Sequence, residues 1–242
     1  MFFKIKLADV TIGINSIYDE VCDMCADYIS TEEPEFTITV SQSDIDFERE
    51  KSNREAVYEN TPIVDYPDSY LETLAVYRKI VTALLDYNVF LMHGSAVCVN
   101  DYAYIFTAPS GVGKTTHTRL WLENIDGAFV INGDKPLIKV CDEKCVVYGT
   151  PWSGKEGMNN NTHAALKAIC FLERGKDNEI IETPFSSVIS SFIQQCYRPS
   201  EADKMQKTLF LLKKLGGKVR FYRLSCNMEP DAALLSFGRM SE

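Results

Sequence analysis

The chain has 242 residues, of which 45% are hydrophobic and 24% are charged, and its formal net charge is −9. This composition is that of an ordinary globular protein with a buried core, built as one large domain or as one domain with an added lobe. The negative charge argues against general affinity for nucleic acids or membrane surfaces, because their phosphate groups would be repelled.

Nothing in the sequence has the pattern of an export signal or a membrane anchor. The N-terminus lacks the long apolar core of a signal peptide, and no stretch reaches the ~18 apolar residues of a membrane span. The chain contains eight cysteines. Without an export signal, we expect them to be reduced thiols of a cytoplasmic protein.

Residues 1–66 predict a strand-rich N-terminal lobe. Apolar residues recur with a period of two at residues 3–7, 10–14 and 36–40, which is typical of strands with one buried face. Residues 41–60 are polar and charged. We expect an exposed hairpin or loop there.

Residues 67–242 predict a second domain in which strands and helices are mixed. An amphipathic helix near residues 69–84 precedes apolar strands at 89–99 and 102–107, with Asn100 and Asp101 as the hairpin turn between them. Further strands are expected at 128–131, 137–140, 145–148, 168–172 and 219–224, and helices from Thr183-Pro184, over 202–215 and from Pro230. The sequence therefore predicts an α/β fold with a mixed sheet.

The segment from Ala108 to Thr116 reads Ala-Pro-Ser-Gly-Val-Gly-Lys-Thr-Thr and follows a predicted strand. This is the pattern of a phosphate-binding P-loop (Walker A), with Ala108 where the first glycine usually stands. Glycines let backbone N–H groups surround an anion, and the following helix adds its positive end. The alternative is a glycine-rich turn with a structural role. The predicted nucleotide-binding residues are Ser110, Gly111, Val112, Gly113, Lys114, Thr115 and Thr116.

Asp134 stands just after a predicted strand, twenty residues beyond Lys114. P-loop enzymes place an acid at such a strand end to hold Mg²⁺, directly or through water. The alternative is a turn aspartate, because Asn-Gly-Asp is common in turns. Together with the preceding loop, the position favours a metal-binding or catalytic role.

Three segments together resemble the C-terminal domain of HPr kinase/phosphorylase and the wider HPr-kinase-like group, whose fold is related to that of phosphoenolpyruvate carboxykinase. They are the His-Gly segment at residues 91–97, the loop at 108–116 and Asn-Gly-Asp at 132–134, with weaker similarity at 148–152 and 168–173. The resemblance spans roughly residues 88–175 and implies a P-loop-containing mixed sheet of this type. Residues 1–66 do not look like the N-terminal domain of HPr kinase.

The resemblance implies phosphoryl transfer from ATP, or from ADP, to a hydroxyl of a protein, a peptide or a small molecule, with Mg²⁺ as cofactor. Asp134 would be the general base, Lys114 would neutralise developing charge, and His93 would lie close to the phosphate. Thr115 and Asp134 are the expected Mg²⁺ ligands. No nucleic-acid or membrane partner is expected, and the sequence leaves a homo-oligomer open.

The chain departs from the family at two places. Gly133 stands where the family usually has a second aspartate, and residues 151–161 replace a Gly-Arg-rich segment that faces the substrate. With Trp152 and Lys155, this replacement predicts a loop that closes over a phosphate or an acceptor. The alternative is a surface loop whose Trp152 packs inward.

Other interpretations stay open. One is a non-catalytic ATP- or ADP-binding module in peptide maturation or regulation, and another is a carboxykinase-like decarboxylation, for which the sequence offers no clear second-metal set of Lys and His. A four-thiolate zinc site is a weaker alternative to plain thiols. That site would use Cys22, Cys25, Cys141 and Cys145. His117 and His163 are predicted to be surface or packing residues, and the basic cluster at 213–220 a solvated face.

Overall fold

The computed structural model describes residues 1–58 and 60–242. The described chain forms two compact units, Met1–Ala83 and Leu84–Glu242. The division into a lobe of residues 1–66 and a domain of residues 67–242 stays a prediction.

The first unit contains a three-stranded sheet and three α-helices. Strands β1 and β2 pair antiparallel, whereas β2 and β3 pair parallel. The elements are β1 (Phe2–Leu7), β2 (Val10–Asn15), α1 (Glu20–Met24), β3 (Phe36–Thr39), α2 (Gln42–Tyr58) and α3 (Asp68–Leu84). The strands expected from the period-two pattern are confirmed.

The hairpin or loop expected at residues 41–60 is wrong, because helix α2 occupies most of this segment. Ser41 caps the helix: its backbone N–H and its hydroxyl both donate to the Asp44 carboxylate, at 3.0 and 2.8 Å. The segment is rich in Glu, Arg and Lys, which favour helix when they are paired. One such pair joins Arg54 to Glu50. The high polarity of residues 41–60 therefore indicated exposure, whereas the contacts at Ser41 and the charge pairs favour a helix over a loop.

The second unit is built on one mixed sheet. Its strands run in the order β4-β8-β9-β10-β6-β5-β7, and β12 pairs with both β10 and β11. Strand β10 is parallel to β6 and to β12, and the other pairs are antiparallel. The elements are β4 (Val89–Leu91), β5 (Ser95–Val99), β6 (Tyr102–Thr107), α4 (Lys114–Asn124), β7 (Phe129–Asn132), β8 (Leu137–Val140), β9 (Cys145–Tyr148), β10 (His163–Arg174), β11 (Glu179–Thr183), α5 (Phe185–Gln194), α6 (Ala202–Gly216), β12 (Arg220–Cys226) and α7 (Pro230–Met240). The predicted α/β class with a mixed sheet is confirmed.

Helices cover both faces of this sheet. Because successive side chains of a strand point to opposite faces, neighbouring residues enter different cores. Ile105 and Ile169 belong to the core packed by α5 and α6. Phe106 and Cys170 belong to the core packed by α4 and α7. Strands β6 and β10 are therefore central, and their ends are held firmly in place.

The single strand expected at residues 89–99 is wrong, because the chain breaks between β4 and β5. Strand β4 pairs with β8, whereas β5 pairs with β6 and β7. Gly94 marks the break, since a Cβ there would lie 2.9 Å from Ile105 Cγ2 and 3.0 Å from the Phe106 carbonyl oxygen. The predicted hairpin turn is confirmed, with φ of 50° at Asn100 and 66° at Asp101.

Within residues 1–58 and 60–242, no helix combines the length and the apolar character that a membrane span needs. All eight cysteines are free. The same described residues contain no group of three or more His, Cys, Asp or Glu side chains arranged to hold a metal. The alternative of a four-thiolate zinc site therefore has no support among these residues.

Candidate functional site

Residues 108–116 connect strand β6 to helix α4 and are called the 108–116 loop below. Gly111 has φ of 77° and Gly113 has φ of 132°, conformations in which a side chain would be strained. Ala108 does not adopt a positive φ, and its side chain is buried in the core. Glycine is thus required at 111 and 113, whereas the alanine at 108 is compatible with the loop.

Lys114 is the first residue of α4, and its side chain folds back over the loop. Its Nζ donates to the Ala108 carbonyl at 3.0 Å. Burial lowers the pKa of Lys114, while the nearby Asp134 carboxylate acts in the opposite direction. The first four N–H groups of a helix have no intrahelical partners. A partly desolvated cation and these donors therefore meet where an anion would be stabilised.

Asp134 lies just beyond the end of β7, and its Oδ1 is 3.1 Å from His93 Nε2. Burial raises the pKa of Asp134, but the His93 hydrogen bond and the charge of Lys135 oppose it, and the result is a pKa below the usual range. Asp134 is therefore ionised at neutral pH. In that form it can accept a proton or bind a cation.

His93 lies at the break between β4 and β5, where the backbone bonds to other segments. The backbone N–H of His93 donates to the Gln195 backbone carbonyl at 2.6 Å, and the backbone N–H of Gly94 donates to the Asp134 backbone carbonyl at 3.0 Å. The His93 Nδ1 lies 3.1 Å from Gln195 Oε1. Because an amide oxygen only accepts, this contact requires Nδ1 to carry a hydrogen and to donate it to Gln195.

Sequence reasoning missed Gln195. It follows α5 and lies 102 residues from His93 in the chain. No local motif marks it, and only the tertiary structure brings it to His93.

Asn132 organises the turn that carries Asp134. Its buried side-chain oxygen accepts from the backbone N–H of Asp134 at 2.9 Å and of Lys135 at 2.6 Å. Its amide nitrogen donates to the carbonyls of Thr150 at 3.0 Å and Trp152 at 3.3 Å. The turn tendency of Asn-Gly-Asp was the signal that could have assigned Asn132 this positioning role.

The segment 149–158 lies directly against Asp134. Gly154 has φ of 76°, and a Cβ there would lie 2.9 Å from the Asp134 Cβ. The Gly133 N–H donates to the Met158 carbonyl at 2.8 Å, and a Cβ on Gly133 would come within 3.3 Å of that oxygen. A side chain at position 133 would therefore be crowded by the backbone of this segment.

Trp152 is only 5% exposed, so its ring packs inward. This agrees with the alternative in which Trp152 packs inward. Lys155 is exposed in the same segment.

The remaining predicted residues belong to the 108–116 loop itself. Ser110 is exposed and Thr115 is half-buried at the start of α4. A cleft of about 450 Å³ adjoins the loop, and Gly111, Val112, Gly113 and Thr116 form part of its wall. Lys114, Asp134 and His93 do not line this cleft.

The histidines outside this group pack against other side chains. His117 is 2% exposed and its Nε2 lies 3.1 Å from Ser236 Oγ. His163 stacks on Tyr148 with ring centroids 5.1 Å apart. Their predicted role as packing or surface residues is compatible with these contacts.

Comparison with known proteins adds one distant structural likeness. No protein-family model matches the chain, and no curated protein matches it. Among solved structures, the chain is similar to the HPr(Ser) kinase/phosphatase from Coxiella burnetii. The two are 8% identical, the alignment covers 62% of this chain and 93% of the other, and the TM-score is 0.35. A likeness at this level carries no argument about activity.

Proposed function

We propose that the chain is a nucleotide-dependent phosphotransferase that moves a phosphoryl group from ATP to a hydroxyl group with Mg²⁺. The observation that carries the proposal is the meeting of three groups beside the glycine-containing 108–116 loop. These groups are the partly desolvated Lys114, the ionised Asp134 and His93, whose Nε2 lies 3.1 Å from Asp134 Oδ1.

The loop would bind the phosphates. Its conformation at Gly111 and Gly113 supports a backbone that turns N–H groups toward an anion. Residues Ser110 to Thr116 would supply these contacts, and Lys114 would stabilise the charge that develops on the transferred group.

Asp134 and the Thr115 hydroxyl would hold Mg²⁺. Magnesium is commonly bound by one or two carboxylates together with substrate phosphates and water. A site with one carboxylate and one hydroxyl beside a phosphate loop fits that chemistry. When bound, the ion would neutralise charge on the phosphates and orient them.

The acceptor hydroxyl would be activated by Asp134. Its carboxylate would take the hydroxyl proton as the oxygen forms its bond to phosphorus, and the bond to the leaving nucleoside diphosphate would break. His93 would hold the carboxylate in place, and Gln195 would orient the imidazole ring by accepting from its Nδ1. The acceptor class stays at the level of a hydroxyl on a protein, a peptide or a small molecule.

The test compares Lys114→Ala and Asp134→Asn with the wild type. Loss of the base or of charge stabilisation is expected to lower phosphoryl transfer by a factor on the order of 10²–10⁴, with the fold intact by circular dichroism. The readout is the mass gain of one phosphoryl group across a panel of hydroxyl-bearing acceptors incubated with ATP and Mg²⁺. Glu156→Gln, at an exposed carboxylate paired with Arg119, is the matched control. Normal transfer by both active-site variants would remove the proposal.

A second candidate is a non-catalytic ATP- or ADP-binding module. It is favoured by Gly133, because no second acid stands at this position and one carboxylate is left to serve as both base and metal ligand. This alternative predicts that calorimetry detects nucleotide binding while no acceptor gains phosphate.

A further inference from the structure

The cleft beside the 108–116 loop lies at the carboxyl ends of the parallel strands β10 and β12. Its volume of about 450 Å³ falls within the range of small-molecule sites. The wall combines apolar side chains with a few polar groups. It is formed by Gly111, Val112, Gly113, Thr116, His117, Leu172, Glu173, Arg174, Gly175, Cys226, Asn227 and Met228.

His117 supplies an unpaired acceptor in this wall. Its side chain is buried, and Nδ1 is without a hydrogen-bond partner in the described structure. On the other side of the ring, Nε2 lies 3.1 Å from Ser236 Oγ. That hydroxyl already donates to the Ala233 carbonyl at 3.0 Å and accepts from Trp121 Nε1 at 2.8 Å.

These contacts determine the tautomer of His117. Because the hydroxyl hydrogen of Ser236 is directed to Ala233, the contact with His117 requires the ring to donate through Nε2. With the ring hydrogen on Nε2, the Nδ1 atom is a bare acceptor without a hydrogen-bond partner. The partner that satisfies it must carry an N–H or O–H group.

We propose that this cleft takes the nucleoside part of the nucleotide, with an N–H or O–H group of the base or ribose donating to His117 Nδ1. The inference rests on the proposed nucleotide-dependent function. It assigns His117 and the cleft wall to binding of the base and ribose, which the 108–116 loop would not contact.

The position of the cleft supports a nucleoside over other small molecules. It shares Gly111, Val112 and Gly113 with the phosphate loop, so a ligand in the cleft is continuous with one on the loop. Lys114 and Asp134 do not line the cleft, so the reacting phosphate would lie outside it. A nucleoside triphosphate has this polarity: an aromatic base at one end and charge at the other.

Arg174 links the cleft wall to the 108–116 loop. Its Nη2 donates to the Gly111 carbonyl at 2.6 Å and its Nε donates to the Val112 carbonyl at 3.3 Å. The guanidinium thus lies in the cleft wall with its donors directed at the loop. Its planar face suits contact with an aromatic base.

Cys226 provides a native reporter for the first experiment. It is a half-buried free thiol in the cleft wall, and Cys22 and Cys141 are half-buried free thiols outside that wall. Alkylation by N-ethylmaleimide is followed for each cysteine by mass spectrometry. ATP at about ten times its dissociation constant is expected to slow modification of Cys226 about tenfold, in proportion to occupancy. Tripolyphosphate is expected to leave Cys226 reactive, and neither ligand should protect Cys22 or Cys141.

The outcomes separate this inference from the proposed function. Calorimetric binding of ATP with Cys226 still reacting at its free rate would overturn the nucleoside cleft and leave the phosphotransferase proposal standing. Equal protection by tripolyphosphate would overturn it as well. Absence of ATP binding would overturn both.

A second experiment replaces the acceptor itself. His117→Phe keeps an aromatic ring and removes Nδ1, so ATP affinity is expected to fall about tenfold, the cost of one hydrogen bond to a buried group. Affinity for tripolyphosphate should stay unchanged, because the phosphate loop is untouched. His117→Gln retains an acceptor and is expected to keep most of the ATP affinity. An equal loss for both ligands would assign His117 a purely structural role and contradict the inference.

Discussion

The position of the Asp134 carboxylate is set by the residues that pack against it. Its carboxylate is held by His93, its turn is held by Asn132, and a Cβ at Gly154 would lie 2.9 Å from its own Cβ. A carboxylate that serves as base has to be positioned within a fraction of an ångström. Under the proposed function, each of these three neighbours would be a positioning residue.

Gly154 and Gly157 form a matched pair for testing this at the residue scale. Both have positive φ, 76° and 64°, so alanine is expected to cost about 1–2 kcal/mol of stability at either position. Only at Gly154 would the new methyl group meet Asp134. Gly154→Ala should therefore lower phosphoryl transfer at least tenfold, whereas Gly157→Ala should retain it. Equal activity of the two variants at matched thermal stability would contradict the contact.

His117 gives the protein a defined dependence of stability on pH. Its folded pKa of about 4 lies below the unfolded value near 6.5, so only the unfolded chain binds this proton between those values. Its contribution is complete above pH 6.5 and is lost as the pH falls toward about 4, a loss of roughly 3 kcal/mol.

His117→Gln removes this ionisation. The difference in free energy of unfolding between wild type and variant, measured by urea denaturation, should shrink across that pH range. A constant difference would show that burial does not suppress protonation of His117.

At the scale of the element, the 108–116 loop depends on glycine at defined positions. Gly111 in the loop and Gly127 after α4 have nearly the same φ, 77° and 74°, and a methyl group added at either would meet no other side chain or backbone within 4 Å. Alanine at either position should cost about 1–2 kcal/mol of stability. Only Gly111→Ala should weaken ATP binding, by calorimetry, because only the 108–116 loop would contact the phosphates under the proposed function. An equal loss of affinity in Gly127→Ala would indicate a general effect on folding.

At the scale of the whole molecule, every residue assigned to nucleotide binding belongs to the unit Leu84–Glu242. Binding to the folded state stabilises a protein by mass action, about 2.7 kcal/mol at a hundredfold excess over the dissociation constant. With ATP and Mg²⁺, hydrogen exchange should slow at the 108–116 loop and along α4. Strands β1 to β3 should exchange as before. Protection confined to those strands would place the ligand elsewhere.

Local patterns predicted most elements and their order. The hairpin at Asn100-Asp101 could be predicted because two-residue turns with positive φ favour Asn, Asp and Gly. Helix α2 was not readable from polarity alone, because an exposed loop and a fully polar helix have the same composition and differ in capping at Ser41. The break at Gly94 was not predicted, because the crowding that favours glycine there comes from Ile105 on another strand.

The sequence by itself determined the alternation of strands and helices, the glycine pattern of the 108–116 loop and the candidacy of Lys114 and Asp134, because each depends on residues close together in the chain. Only the tertiary structure decided that Gln195 reaches His93, that the backbone of Met158 packs against Gly133 and that His117 lines a cleft. These contacts join residues far apart in the chain. Their distances follow from how the sheet and its helices pack, which no short stretch of sequence specifies.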